Sequence, residues 1–77
     1  MKPDERSLLR LMGQYDPSIP HHLRTPRVLN ETLGIHHKRL AYILLKWADR
    51  GWYDYGVNVE LGWLTPEGFV RAVLLTA

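Results

Sequence analysis

Apolar residues recur at helical spacing in four stretches of the chain and alternate in strand fashion in one. Leu8, Leu9, Met12 and Tyr15 return every three or four positions, which predicts a helix from about Asp4 to Tyr15. Asp4 is placed to cap it, Glu5 suits the positive end of its dipole, and Gly13 weakens the last turn. Gln14 to Arg24 is a connection, because Asp16-Pro17 and Ile19-Pro20 favour turns and extended backbone. Within it, His22-Leu23-Arg24 is a candidate for a very short strand.

A second helix starts at Thr25-Pro26, a capping residue followed by a proline whose missing N–H costs nothing there. Val28, Leu29 and Leu33 form its apolar face, and Gly34 stops it. A third helix covers about His36 to Arg50, with Leu40, Ile43, Leu44, Trp47 and Ala48 in one stripe. His37, Lys38, Ala41, Tyr42, Leu45 and Lys46 lie largely off that stripe, and Gly51 ends the helix. Trp52 to Tyr55 is rich in strand formers, Gly56 to Glu60 suits a hairpin tip, and Leu61 to Leu64 returns as a second strand. Thr65-Pro66-Glu67 opens a fourth helix from about Pro66 to Thr76, apolar over a wide arc through Phe69, Val70, Val73, Leu74 and Leu75.

The expected fold class is therefore α+β and mostly helical: a three-helix core, a small β-hairpin and a C-terminal helix. With 77 residues, 1–77 is expected to be a single domain with a thin core. The chain has no cysteine, which removes disulfides and thiolate metal sites and agrees with a cytoplasmic setting. The N-terminal residues carry no signal-peptide pattern, and no apolar run is long enough for a membrane.

The net charge of +2 is small, but its distribution changes the picture. Between His21 and Arg50, six cations face two acids, a net of +4 with all four histidines added; the remainder has four cations against six acids. Such a gathering is the footprint of an anionic partner, or else an ordinary solvated surface.

Three segments resemble winged helix-turn-helix regulators of small prokaryotic or phage type. Thr25 to Ile35 (TPRVLNETLGI) is similar to their second helix and turn. Leu44 to Trp52 looks like the end of their recognition helix, with apolar Leu44 and Trp47 seven and four positions before Gly51. Gly62 to Gly68 (GWLTPEG) resembles the passage from wing to last helix. The resemblance covers about Asp4 to Thr76. It implies sequence-specific binding of double-stranded DNA, as in a transcriptional regulator such as a repressor, with the third helix in the major groove.

On that basis His36, His37, Lys38, Arg39, Ala41, Tyr42 and Lys46 are expected to face DNA. Lys38 and Arg39 would meet guanine edges or phosphates, and Ala41 a thymine methyl. Thr25 and Arg27 would meet phosphate at the start of the second helix, through a backbone N–H and a side chain. The hairpin departs from the DNA-binding pattern, because Gly56 to Glu60 has no Lys or Arg and ends in an acid. Trp47, Trp52 and Trp63 are expected in the core rather than as stacking platforms. Phe69, Val70, Val73 and Leu74 exceed what one thin core needs and are candidates for a homodimer contact.

Other classes have less to stand on. His21-His22 and His36-His37 invite metal, but neighbours on a helix do not face the same way and no acidic or thiol cluster accompanies them, so no metal or other cofactor is expected. No paired carboxylates, phosphate loop or Ser/His/Asp set is present, so no enzyme and no small-molecule substrate are expected. The competing reading is a protein-interaction module, or a small subunit of a larger assembly without DNA binding.

Overall fold

Among the described residues, three of four helices start at a proline, which pre-sets the helical φ where no N–H partner is needed. They are α1 (Pro3–Met12), α2 (Pro26–Leu33) and α4 (Pro66–Thr76). The fourth, α3, spans His37–Asp49, and two short antiparallel strands, β1 (Tyr53–Asp54) and β2 (Trp63–Leu64), lie between α3 and α4. This computed structural model describes residues 1–76, without the side chain of Thr76. The described chain is mostly helical with one two-stranded sheet, an order compatible with a winged helix.

The helix ends follow local chemistry, with differences from the expected bounds. α1 begins one residue earlier and ends three earlier than expected, because Pro3 takes its first position and Gly13 its C-cap. Asp4 is thus inside the helix and does not cap it; Lys2 holds the cap position without a side-chain bond. Thr25 caps α2 as expected, its Oγ1 accepting from the Val28 N–H at 3.4 Å. Gly34 ends α2 at φ 68°, the left-handed region that glycine enters without a steric penalty. Asn30 then clamps the turn: its amide donates to the Ile35 carbonyl at 2.8 Å, and its Oδ1 accepts from the Ile35 N–H at 2.9 Å. His36 lies outside α3 as its N-cap, its Nδ1 accepting from the Lys38 N–H at 3.2 Å.

The connection before α2 contains a 3₁₀ turn at His21–Leu23 where a short strand was expected. It pairs with neither described strand; its backbone closes locally, the Leu23 N–H donating to the Pro20 carbonyl and the Arg24 N–H to the His21 carbonyl. The hairpin strands are also shorter than expected, two residues each. Between them, Val59–Leu61 forms a second 3₁₀ turn capped by Asn58. The Tyr53 hydroxyl draws this segment shut, donating to the Val59 carbonyl at 2.6 Å and accepting from the Gly62 N–H at 2.8 Å. Burial pushes that hydroxyl's pKa up, against the opposing Gly62 bond.

Strand parity decides which aromatics are inside. Tyr53 pairs with Leu64, and Asp54 with Trp63. Tyr53 and Leu64 point into the core, so their neighbours Asp54 and Trp63 point out. Trp63 is therefore 45% exposed, contrary to the expectation that it is core; Trp47 and Trp52 are buried as expected. The core joins Leu8, Leu9 and Met12 of α1 to Leu40, Ile43, Leu44 and Trp47 of α3, with Trp52, Tyr53, Leu64 and Ala72. Leu29, Leu33, Ile35 and Phe69 pack against it, half-buried.

Candidate nucleic-acid interface

Leu40, Ile43, Leu44 and Trp47 bury one side of α3 completely or nearly so, which fixes what the other side presents. Lys38, Tyr42, Leu45 and Asp49 are exposed there, with Ala41 half-exposed beside them. His36 and His37 stand at the helix start, both exposed. Their rings lie 4.3 Å apart between centroids. Because His36 precedes the helix, the two side chains are not splayed apart as neighbours within a helix are. Even so, His36 Nδ1 is occupied by the Lys38 N–H. Among the described residues, no group of three or more His, Cys, Asp or Glu could hold a metal ion.

Lys38 extends from this face with no carboxylate partner among the described residues. Arg39 and Lys46 do not share that freedom. They flank the exposed face on the side toward the start of α1. The Arg39 guanidinium grips Asp4 with two bonds, Nε to Oδ2 at 2.8 Å and Nη2 to Oδ1 at 3.0 Å. Lys46 Nζ donates to Glu5 Oε1 at 2.6 Å. The expectation that both cations stand free toward a ligand is therefore corrected: two acids of α1 hold them. Tyr42 sits beside both, its ring centroid 5.5 Å from the Arg39 guanidinium carbon and 5.7 Å from Lys46 Nζ.

These pairs shift the carboxyls. The Arg39 hydrogen bonds, helped by the Glu5 N–H and nearby charge, outweigh desolvation and hold the Asp4 pKa at about 2. Desolvation acts most strongly on Glu5 and by itself would raise its pKa. The Lys46 and Trp47 hydrogen bonds and the charges of Lys46 and Arg39 together outweigh it, leaving the carboxyl below its ordinary value.

At the start of α2, Thr25 is buried, its Oγ1 accepting from the Val28 N–H, so burial keeps its side chain from a phosphate. Arg27 is exposed and only loosely tied to Glu60 of the hairpin connection, at 3.5 Å. The acid noted near the hairpin tip thus lies against one of the candidate phosphate ligands.

Asp4 and Glu5 are the site residues that sequence reasoning missed. The signal was present. Glu5 shares the spacing of Leu8, Leu9 and Met12, so it sits in the apolar stripe of its helix. A carboxylate in that position must find a donor or a cation across the core.

Compared with protein-family models, curated proteins and solved structures, the chain matches none. No described helix is long and apolar enough to cross a membrane.

Proposed function

We propose that the domain is a winged helix-turn-helix that binds double-stranded DNA through the first half of α3. The observation that carries this is the row formed by His37, Lys38, Ala41 and Tyr42, exposed or half-exposed on a helix whose opposite side is locked into the core. A rigid helix with donors on its outer face, starting at a helix-turn-helix junction, suits the major groove. Lys38 supplies the unpaired charge, His37 and Tyr42 supply hydrogen-bonding groups, and Ala41 leaves room for a thymine methyl. Arg27 adds a phosphate contact from α2, while Arg39 and Lys46 contribute only as far as their carboxylates release them. A regulator of transcription, paired through the exposed Val70 and Leu74 of α4, is the form this takes. Phe69, expected in the same contact, is half-buried against the core and edge-on to Tyr15 at 5.9 Å, so it plays a supporting part at most.

The test is selection from random duplexes at moderate salt, followed by anisotropy titrations of the enriched sequence across a salt series. About three phosphate contacts per chain give a log–log slope near −3. An affinity independent of salt, or no enriched sequence, overturns the reading.

A second reading is favoured by a separate observation. Leu45 and Asp49 occupy the same outer face of α3, and an apolar and an acidic group there suit a protein partner better than a phosphate backbone. In that case the domain is an interaction module, and the selection enriches nothing.

A further inference from the structure

Tyr15, Ile19, Leu23 and Trp63 are 39–56% exposed, and all four border one concavity. Single exposed apolar residues are ordinary, but a cluster around a hollow is a binding feature. The hollow measures about 210 Å³ and lies between the α1–α2 connection, α2 and β2. Its floor includes Met12 and Leu64, both buried in the core. Tyr15 meets Phe69 edge-on at 5.9 Å, and Trp63 meets His21 at 5.8 Å, so ring edges and faces frame the opening.

One fixed cation stands in this frame. Arg24 donates its Nε to the Ile19 carbonyl at 2.7 Å, and its guanidinium lies 4.5 Å over the Tyr15 ring. These two contacts hold the fork in place and leave its terminal nitrogens without a hydrogen-bond partner among the described residues. Its charge reaches Asp16, but no ion pair forms between them, and Asp16 Oδ1 accepts from the Ser18 N–H and hydroxyl, at 2.9 and 2.7 Å. His21 is the other titratable side chain that lines the hollow with Arg24 and Tyr15.

We propose that this concavity binds a small aromatic carboxylate. Its ring lies against Tyr15, Trp63 and Phe69, and its carboxylate meets the terminal nitrogens of Arg24. The volume is below the roughly 300 Å³ at which drug-sized pockets begin, so the ligand has one or two rings. A planar guanidinium with a free edge matches a carboxylate in geometry and charge. The bound molecule ties the α1–α2 connection to Leu29 of α2 and to β2. This proposal is independent of DNA binding.

The test uses the whole isotopically labelled chain, whose three indole N–H signals include that of Trp63. Phenylacetate is titrated in, with phenylacetamide as its uncharged counterpart. The Trp63 signal is expected to shift saturably with a Kd of about 1 mM, and the amide to bind at least ~10-fold more weakly. Arg24→Gln should bring the acid down to the level of the amide. Arg24→Lys, which keeps the charge and loses the fork, should fall between. The Trp47 indole signal reports that each variant is folded. No saturable shift by about 20 mM, or equal binding of acid and amide, overturns the proposal. So does a Trp63 shift that follows protein concentration rather than phenylacetate, which would mark a contact between copies.

Discussion

The Glu5 carboxylate accepts a hydrogen bond from the Trp47 indole N–H at 2.8 Å, inside the core and across 42 positions of sequence. Its other oxygen takes the Lys46 ammonium. Glu5 is 1% exposed and Trp47 fully buried, so the pair couples the first helix to the last turn of α3.

Removing that acceptor leaves a buried indole N–H unpaired and a cation without its partner. Glu5→Ala should cost about 2–4 kcal/mol. In a domain of this size that lowers Tm by about 10–20 °C. Glu5→Gln keeps an oxygen for Trp47 and should cost about half as much. Asp4→Asn, at a pair that is roughly one-third exposed, should cost less than about 1 kcal/mol. Thermal and urea unfolding of the three variants check the order.

Acid should weaken the fold in a defined window. Asp4 is held at about 2 against an ordinary 3.8, and Glu5 is also lowered. A group depressed in the folded state contributes stability above its unfolded pKa and loses it as pH falls through the folded one. Urea midpoints should therefore be level above about pH 5 and fall steadily toward pH 2. The double variant Asp4→Asn, Glu5→Gln should flatten this fall. A parent midpoint unchanged from about pH 5 to pH 2.5 would contradict the assignment.

Cations on α3 should separate by role. Lys38→Ala is expected to leave Tm unchanged, weaken duplex binding about 3- to 10-fold and reduce the salt slope by about 0.9. Arg39→Ala should have a smaller effect on binding, since its guanidinium is engaged by Asp4. Asp4→Asn, which removes an acid and loosens Arg39, should tighten binding. Anisotropy titrations at two salt concentrations distinguish these outcomes.

Gly62 tests the closure of the hairpin. A methyl group there would meet the backbone carbonyl of Asp54 and the buried ring of Tyr53. Gly62→Ala should destabilise by about 1–3 kcal/mol through overpacking. Gly34→Ala, in open space but at φ 68°, should cost only about 1 kcal/mol. A loss at Gly62 no larger than that at Gly34 in chemical denaturation would show that the hairpin relaxes around the added methyl group and is not held shut there.

Much of the fold was legible because helices announce themselves locally. Thr25-Pro26 and Thr65-Pro66 mark two helix starts, Gly34 a stop, and the stripe from Leu40 to Trp47 the buried side of α3. The candidate site was less so. His36 was expected to face a ligand and instead caps α3, and Trp63 turned outward because a two-residue strand has only one inward position.

The chain itself determined the helical segments, their order and the side of each that seeks the core, since those follow from residues three or four apart. Only the tertiary structure decided which cations are free. Asp4 reaches Arg39 across 35 positions and Glu5 reaches Lys46 across 41. Periodicity within one helix carries no information about a carboxylate delivered by another. Charge neutralisation acts through space, and that distance is set only when the helices pack.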